Sequence, residues 1–97
     1  MHVISQKKLR DFWSLRSDAG FDLRRWYLFA KKAHWRDPSD IKAVFSSASF
    51  LKNNRVIFHV SGNKYRLVVK MVYESQRAYI RFIGTHQEYD RIDPETI

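Results

Sequence analysis

The sequence contains no cysteine and only three glycines among its 97 residues. The lack of cysteine excludes disulfide bonds, thiolate zinc sites and cysteine nucleophiles, and it fits a reducing compartment. No stretch approaches the roughly 18 consecutive apolar residues that suggest a membrane-spanning helix. The opening stretch MHVISQKKLR also lacks the apolar segment of a signal peptide. We therefore expect a soluble, cytoplasmic protein that does not act at a membrane.

Acidic residues are scarce as well, since 10 Asp and Glu oppose 18 Lys and Arg, giving a formal charge of +8. Four of the acids crowd into the last ten positions, in the stretch that follows Gln87. The excess positive charge of the chain up to Gln87 would attract a polyanion: nucleic acid, an anionic membrane surface or an acidic protein. Dispersed and solvated surface charge is the alternative explanation.

The first half of the chain shows a short strand followed by helical periodicity. Hydrophobic content of 44% and aromatic content of 15% predict one folded domain over residues 1–97. After a strand at 2–5, Ser5 is a predicted cap for a first helix, and a break is expected at 18–20. A second helix is predicted over 21–34, and a third begins at Pro38 with Asp37 as its cap. The second helix carries a basic group off its apolar stripe, formed by Arg24, Arg25, Lys31 and Lys32.

The second half is rich in Val, Ile, Phe and Tyr and predicts three strands, at 55–60, 64–74 and 77–84. Gly62-Asn63 is typical of a two-residue hairpin turn, and Ser75-Gln76 has the length for a second one. The predicted fold class is α+β: an N-terminal strand and two to three helices pack on a small antiparallel sheet formed mainly by residues 55–84.

Counting inward from both turns predicts which side chains share a face of this sheet. One face is apolar, includes Leu67 and Phe82, and packs on the helices. The other face is expected to carry Arg55, His59, Lys64, Arg66, Lys70, Tyr79 and Arg81. Lys70 is predicted directly opposite Arg81, and like charges in cross-strand pairs destabilise a sheet. An anion bound there, most simply a phosphodiester backbone, explains the pattern better than cations that splay into solvent.

The candidate side chains suit RNA cleavage without a metal or another cofactor. Such cleavage needs a base for the 2′-OH, cations around the phosphate and an acid for the leaving oxygen. His86 and His59 are candidates for proton transfer, the usual catalytic role of histidine, and Arg66 and Arg81 can bind phosphate oxygens. Lys64 or Lys70 would serve as a base only with a depressed pKa. Tyr89 could stack on a base or donate a proton.

Each of these residues also has a simpler structural interpretation. His59 could be an ordinary surface histidine, and His86 could cap a turn. Tyr89 could be a core aromatic. The series His86-x-Glu88-x-Asp90 could touch a cation, but no HxxxH spacing is present, so we predict no metal site.

Three stretches resemble the HigB-type toxins of bacterial type II toxin–antitoxin modules, which are relatives of the RelE fold. They are DIKAVFSSASFLKNNRV, VIFHVSGNKYRLVVKMVYE and AYIRFIGTHQEYD, and the similarity spans nearly the whole chain. The positions that match the family pattern are Gly62, Asn63, Arg66, Arg81, Thr85, His86, Glu88, Tyr89 and Asp90. RelE-type enzymes differ in whether Lys, Arg and Tyr or His and Asp carry the chemistry, and this sequence holds elements of both.

The resemblance implies a RelE-like microdomain that cleaves mRNA in translating ribosomes without a metal. It also implies a helix-turn-helix antitoxin, HigA-like and encoded beside the toxin, and operator DNA bound through the complex. The predicted catalytic set is Arg66, Arg81, His86, Tyr89 and Lys64. The predicted RNA-binding set is His59, Lys70, Arg55, Asn63, Arg24, Arg25, Lys31 and Lys32. The alternative is a non-catalytic module that binds nucleic acid or the antitoxin in operon autoregulation.

Overall fold

Five strands and four helices make up the fold, and a computed structural model describes them over residues 1–97. In chain order they are β1 His2–Ile4, α1 Gln6–Leu15, α2 Ser17–Lys32, α3 Pro38–Val44, β2 Ser49–Phe50, β3 Arg55–Val60, β4 Tyr65–Val72, β5 Arg77–Thr85 and α4 His86–Tyr89. The sheet order is β1-β5-β4-β3-β2, with β1 parallel to β5 and all other neighbours antiparallel. The predicted α+β class is confirmed. None of the helices combines the length and apolar character needed to cross a membrane.

The hydrophobic core lies between one face of the sheet and helices α1 and α2. Leu9 of α1, Leu23 of α2 and Leu67 of β4 are completely buried, and the Trp26 ring of α2 packs edge-on against Phe58 of β3 at 5.2 Å. Burying such side chains stabilises the fold by about 1.5–3 kcal/mol each. Because strand side chains alternate between faces, His59 and Arg66 lie on the opposite side of the sheet from α2.

Helices α1 and α2 follow each other with only Arg16 between them, so the predicted break at 18–20 is wrong. Those residues form the first turn of α2. Ala19 is fully buried, and a Cβ placed on Gly20 would lie 3.7 Å from the Cβ of Trp13 in α1. The small residues allow two helices to approach, a tertiary reason that outweighs the low helix propensity of glycine.

Strand β3 pairs with β4 in the predicted register, with His59 opposite Arg66 and Arg55 opposite Lys70. The connecting residues Ser61, Gly62 and Asn63 all adopt positive φ. That region of backbone space favours glycine and tolerates asparagine. The Gly62-Asn63 turn prediction is therefore confirmed, with Lys64 N donating to Ser61 O.

The register between β4 and β5 differs from the prediction by two residues. Val72 pairs with Arg77 and Lys70 pairs with Tyr79, so the expected Lys70–Arg81 pair is wrong. The chain turns at 73–76, where Gln76 adopts positive φ and its backbone N–H donates to Tyr73 O. Its side-chain amide also donates to the carbonyl oxygens of Trp35 and Tyr73. These contacts stabilise a four-residue turn that begins two residues earlier than the predicted two-residue turn at Ser75-Gln76.

A bulge at Arg81 then changes the faces for the rest of β5. Val69 pairs with Ile80, whereas Val68 pairs with Phe82, which leaves Arg81 without a partner residue on β4. Phe82 therefore shares the face of Val68 and Arg66. The prediction that Phe82 lies in the core between the sheet and the helices is wrong. Ile83 instead packs against that core.

Candidate active site

The side chains opposite the helices converge on Arg66, and we call this side of the sheet the Arg66 face. In the register Arg66 stands between His59 on β3 and Gly84 on β5. Its guanidinium carbon lies 4.6 Å from the centroid of the Tyr89 ring, a favourable cation–π distance. No carboxylate comes within ion-pair distance of it, and its buried Nε has no hydrogen-bond partner. Arg66 is thus a fixed cation whose donors are available for an external anion.

Helix α4 is responsible for the position of Tyr89, and a capping box starts this helix. Thr85 N donates to Glu88 Oε1 at 2.8 Å, and Glu88 N donates to Thr85 Oγ1 at 3.2 Å. Hydrogen bonds from Thr85 hold the pKa of the Glu88 carboxyl below its ordinary value. The helix therefore begins at a defined residue, directly beyond the end of β5.

Gly84 allows α4 to fold closely over β5. A Cβ at this position would lie 2.7 Å from Cζ of Phe82 and 3.0 Å from Oε1 of Glu88, which is closer than van der Waals contact permits. The Phe82 ring in turn meets the Tyr89 ring edge-on at 6.3 Å. Phe82 and Gly84 consequently place the aromatic ring against Arg66.

His86 and Asp90, one helical turn apart, form the second polar pair of the site. His86 Nδ1 lies 3.2 Å from Asp90 Oδ2, and both side chains are largely exposed. A proton on Nδ1 facing the carboxylate leaves Nε2 of the neutral ring free to accept a proton. This is the geometry in which an acidic partner orients a histidine base.

His59, the neighbour of Arg66 across the β3–β4 pair, is half-buried. Its Nδ1 is buried without a hydrogen-bond partner. Burial, and secondarily the charge of Arg66, lower the pKa of His59 below its ordinary value. The imidazole is therefore neutral at physiological pH.

Two further cations lie near Arg66 without an acidic partner. Lys70, four residues along β4 on the same face, is half-buried, and the bulged Arg81 on β5 is exposed. Neither side chain takes part in any of the four ion pairs of the molecule. Although the predicted Lys70–Arg81 cross-strand pair does not exist, both residues leave positive charge uncompensated beside Arg66.

Lys64 is the predicted catalytic residue that the structure turns away from this group. It forms an ion pair with Asp18 of α2, whose carboxylate also accepts a 2.8 Å bond from the Tyr65 hydroxyl. Asp18 raises the pKa of Lys64, the opposite of what a lysine base requires. Asn63, its neighbour, occupies the turn with a φ of 76°.

Arg55, a predicted RNA-binding residue, is buried in an intramolecular contact. It is only 7% exposed, and its guanidinium donates to the carbonyl oxygens of Asn53 and Ile97. The same end of the molecule is held by bonds from Lys52 N and the Asn53 side chain to Glu95. The acidic segment at the end of the chain thus covers Arg55, and the expectation of an open cation at this position is wrong.

The basic residues of α2 lie on the other side of the sheet from Arg66. Arg24 and Arg25 place their guanidinium carbons 5.3 Å from the Trp13 ring and 5.8 Å from the Phe21 ring, and Lys31 Nζ lies 6.0 Å from the Tyr27 ring. Lys32 is exposed. These four residues form a basic surface on α2, and Arg25 also lines a pocket of about 310 Å³ together with His59 of β3.

No three His, Asp or Glu side chains are grouped in a way that could hold a metal ion. His86 and Asp90 are paired with each other, and Glu88 is bonded to Thr85 N.

The sequence profile of the HigB toxins, described as the RelE-like toxic component of a toxin–antitoxin system, matches residues 20–92. This match covers most of the chain, including all of β3, β4 and β5 and the Arg66 face. The chain belongs to the HigB toxin family. Membership of a toxin–antitoxin system implies an antitoxin as partner.

Individual HigB relatives agree with the profile over nearly the full length. The mRNA interferase toxin HigB of Escherichia coli K12 is 36% identical over 92 residues, which are 93% of this chain and 88% of the relative. The mRNA interferase HigB of Shigella flexneri has the same identity and coverage. A more distant mRNA interferase HigB, from Escherichia coli O6:H1, is 22% identical over 94 residues.

Three positions that shape the candidate site or its surroundings could not be recognised from the sequence. Phe82 was assigned to the core because the alternation along β5 gives no sign of the bulge. Gly84 matters through its close approach to α4, which the local pattern FIGTHQE suggests only weakly. Asp18, the partner of Lys64, is 46 residues away in the sequence, and no local signal connects the two.

Proposed function

We propose that this HigB family member is an endoribonuclease that cuts mRNA on translating ribosomes in the cytoplasm, without a metal, and so arrests growth. The observation that carries the proposal is Arg66, a cation held against Tyr89, beside a neutral His59, with no carboxylate partner. The relatives named mRNA interferases support the choice of substrate.

The phosphate would be bound by cations from two adjacent strands. Arg66 and Arg81 each offer several N–H donors that match phosphate oxygens and keep their charge at every relevant pH. Lys70 adds positive charge along β4. Charge that builds on the phosphoryl oxygens in the transition state is thereby neutralised, and one such donor typically contributes about 10²–10³-fold in rate.

Proton transfer would be divided between two residues of α4, His86 and Tyr89. Nε2 of His86, oriented through Asp90, accepts the 2′-OH proton as the 2′-oxygen attacks phosphorus. The bond from phosphorus to the 5′-oxygen breaks, and that oxygen leaves with a proton from Tyr89, giving a 2′,3′-cyclic phosphate and a 5′-OH. His59 would contact the RNA as a neutral donor or acceptor, and Asn63 would bind RNA at the hairpin turn. Lys64 stabilises the fold through Asp18 and takes no part in proton transfer.

The partners follow from the toxin–antitoxin context. A HigA-like helix-turn-helix antitoxin, encoded beside the toxin, would neutralise it, and the complex would bind its own operator DNA. The free toxin would bind the ribosome and the mRNA within it.

Mapping of mRNA 5′ ends in cells after induction tests the proposed activity. The wild-type protein should create new ends within translated codons, in frame. Arg66→Ala should create none, and Arg10→Ala, which removes an exposed arginine of α1, should match the wild type. Unchanged mRNA with altered transcription of the toxin promoter would refute the nuclease and favour the non-catalytic binding module.

A further inference from the structure

The outer side of α2 exposes large apolar side chains beside a groove. Phe21 and Leu28 are 72% and 55% exposed and, at seven-residue spacing, lie on the same side of the helix. Together with Trp13 and Gly20 they line a groove of about 520 Å³ between α1 and α2. Single exposed apolar residues are ordinary, but an apolar patch with a groove marks an interaction site.

Free positive charge flanks this groove. Arg24 and Arg25 line it, and Lys31 and Lys32 continue the same side of α2 by one further turn. None of the four cations has a carboxylate within ion-pair distance. The surface is therefore apolar at its centre and cationic along its length.

The acids of α1 and α2 do not compensate these cations because each already has a partner. Asp11 pairs with Lys7 at 2.9 Å, Asp18 binds Lys64 and Tyr65, and Asp22 accepts a 2.9 Å bond from Ser61 N. A complementary partner must bring its own carboxylates.

We infer that this surface binds an acidic amphipathic helix of the antitoxin. Apolar side chains seven residues apart, beside a groove between two helices, suit a partner helix that contributes its own apolar stripe. A phosphate backbone would pair with the arginines but would leave Leu28 exposed. A second copy of this chain would oppose a net charge of +8 with the same charge.

This inference rests on the proposed function, because it takes the Arg66 face as the surface that cleaves mRNA. Because α2 and the Arg66 face lie on opposite sides of the sheet, an antitoxin helix bound here would leave Arg66 uncovered. It would hold the toxin through a surface that catalysis does not use. For the α2 cations, this inference favours protein recognition over the RNA binding predicted from the sequence.

Isothermal titration calorimetry tests this, with the polypeptide encoded by the open reading frame adjoining the toxin gene as the probe. Phe21→Ala and Leu28→Ala should each weaken binding by about 10- to 30-fold, as buried interface anchors do. Arg24→Ala with Arg25→Ala should weaken it and flatten its salt dependence. Val44→Ala, a matched apolar truncation on α3 at a side chain that is 46% exposed, should bind like the wild type.

Thermal melts must first show that the variants fold, and the mRNA cleavage of Phe21→Ala and Leu28→Ala without antitoxin must equal that of the wild type. Wild-type affinity in the Phe21→Ala/Leu28→Ala double variant would overturn the inference. Variants that no longer cosediment with ribosomes but still bind the antitoxin would also overturn it, because they would assign the surface to ribosomal RNA. A toxin dimer that dissociates in Phe21→Ala would overturn it as well, because it would assign the surface to a second copy of the chain. Cleavage by Arg66→Ala would refute the catalytic proposal while leaving the binding result standing.

Discussion

Gly84→Ala should impair mRNA cleavage without unfolding the protein. The added Cβ would meet Cζ of Phe82 at 2.7 Å and Oε1 of Glu88 at 3.0 Å. Carbon atoms in contact sit about 3.5–4.0 Å apart, so the Phe82 ring must move by about 1 Å. That ring packs against Tyr89, which in turn lies against Arg66. The displacement therefore passes directly to the two groups that we assign to the phosphate and the leaving oxygen.

The expected size of the effect follows from this displacement. Overpacking typically costs about 1–3 kcal/mol of stability, which a folded domain of this size tolerates. A misplacement of about 1 Å can reduce catalysis by about 10²-fold. Urea denaturation gives the first quantity, and single-turnover cleavage of mRNA on programmed ribosomes gives the second.

Gly62→Ala is the matched control. Gly62 has a φ of 61° and no atom within 4 Å of an added Cβ, so alanine there strains the turn by about 1–2 kcal/mol without a clash. It should lose stability but keep its cleavage rate. Wild-type cleavage by Gly84→Ala, or an equal loss in Gly62→Ala, would refute the role given to the close approach of α4.

Two predictions concern pH and follow from the direction of the pKa shifts. Hydrogen bonds from Lys64 and Tyr65 lower the pKa of Asp18. Their contribution to stability is therefore present above the ordinary Asp pKa and is lost as pH falls through the lowered value. Denaturation curves of Asp18→Asn should lack this acid-dependent loss, and pH profiles identical to those of the wild type would contradict the prediction. Burial lowers the pKa of His59 below its ordinary 6.5, so stability should decrease as pH falls from 6.5 through the lowered value. His59→Gln should lose that dependence in urea titrations between neutral and acidic pH, and an unchanged slope would show that another group is responsible.

The sequence predicts most of the fold because its signals are local. Pro38 after a capping aspartate marks α3, and Gly62-Asn63 marks the first hairpin together with its register. The second register depends on contacts that are distant in sequence, notably the Gln76 side chain with Trp35 O. The bulge at Arg81 leaves no local trace in the apolar pattern, so Phe82 was assigned to the wrong face.

The candidate site was predictable in its cations and less so in its geometry. Counting from the first turn correctly placed His59 beside Arg66, because that turn is well encoded. Lys64 and Arg55 were assigned to the open face because periodicity describes the direction of a side chain and not its partners. Asp18 and the last residues of the chain engage these two cations through tertiary contacts, which the strand pattern cannot anticipate.

The single-turnover rate of cleavage by Arg66→Ala tests the central claim most directly. Ribosome-bound mRNA should be cut about 10²–10³-fold more slowly than by the wild type, the typical loss when one charge-stabilising donor is removed. Arg66→Lys should recover part of that loss, since lysine keeps the charge but not the paired donors, and Arg10→Ala should cut at the wild-type rate. Cleavage by folded Arg66→Ala at the wild-type rate would contradict the assignment of this face as the active site.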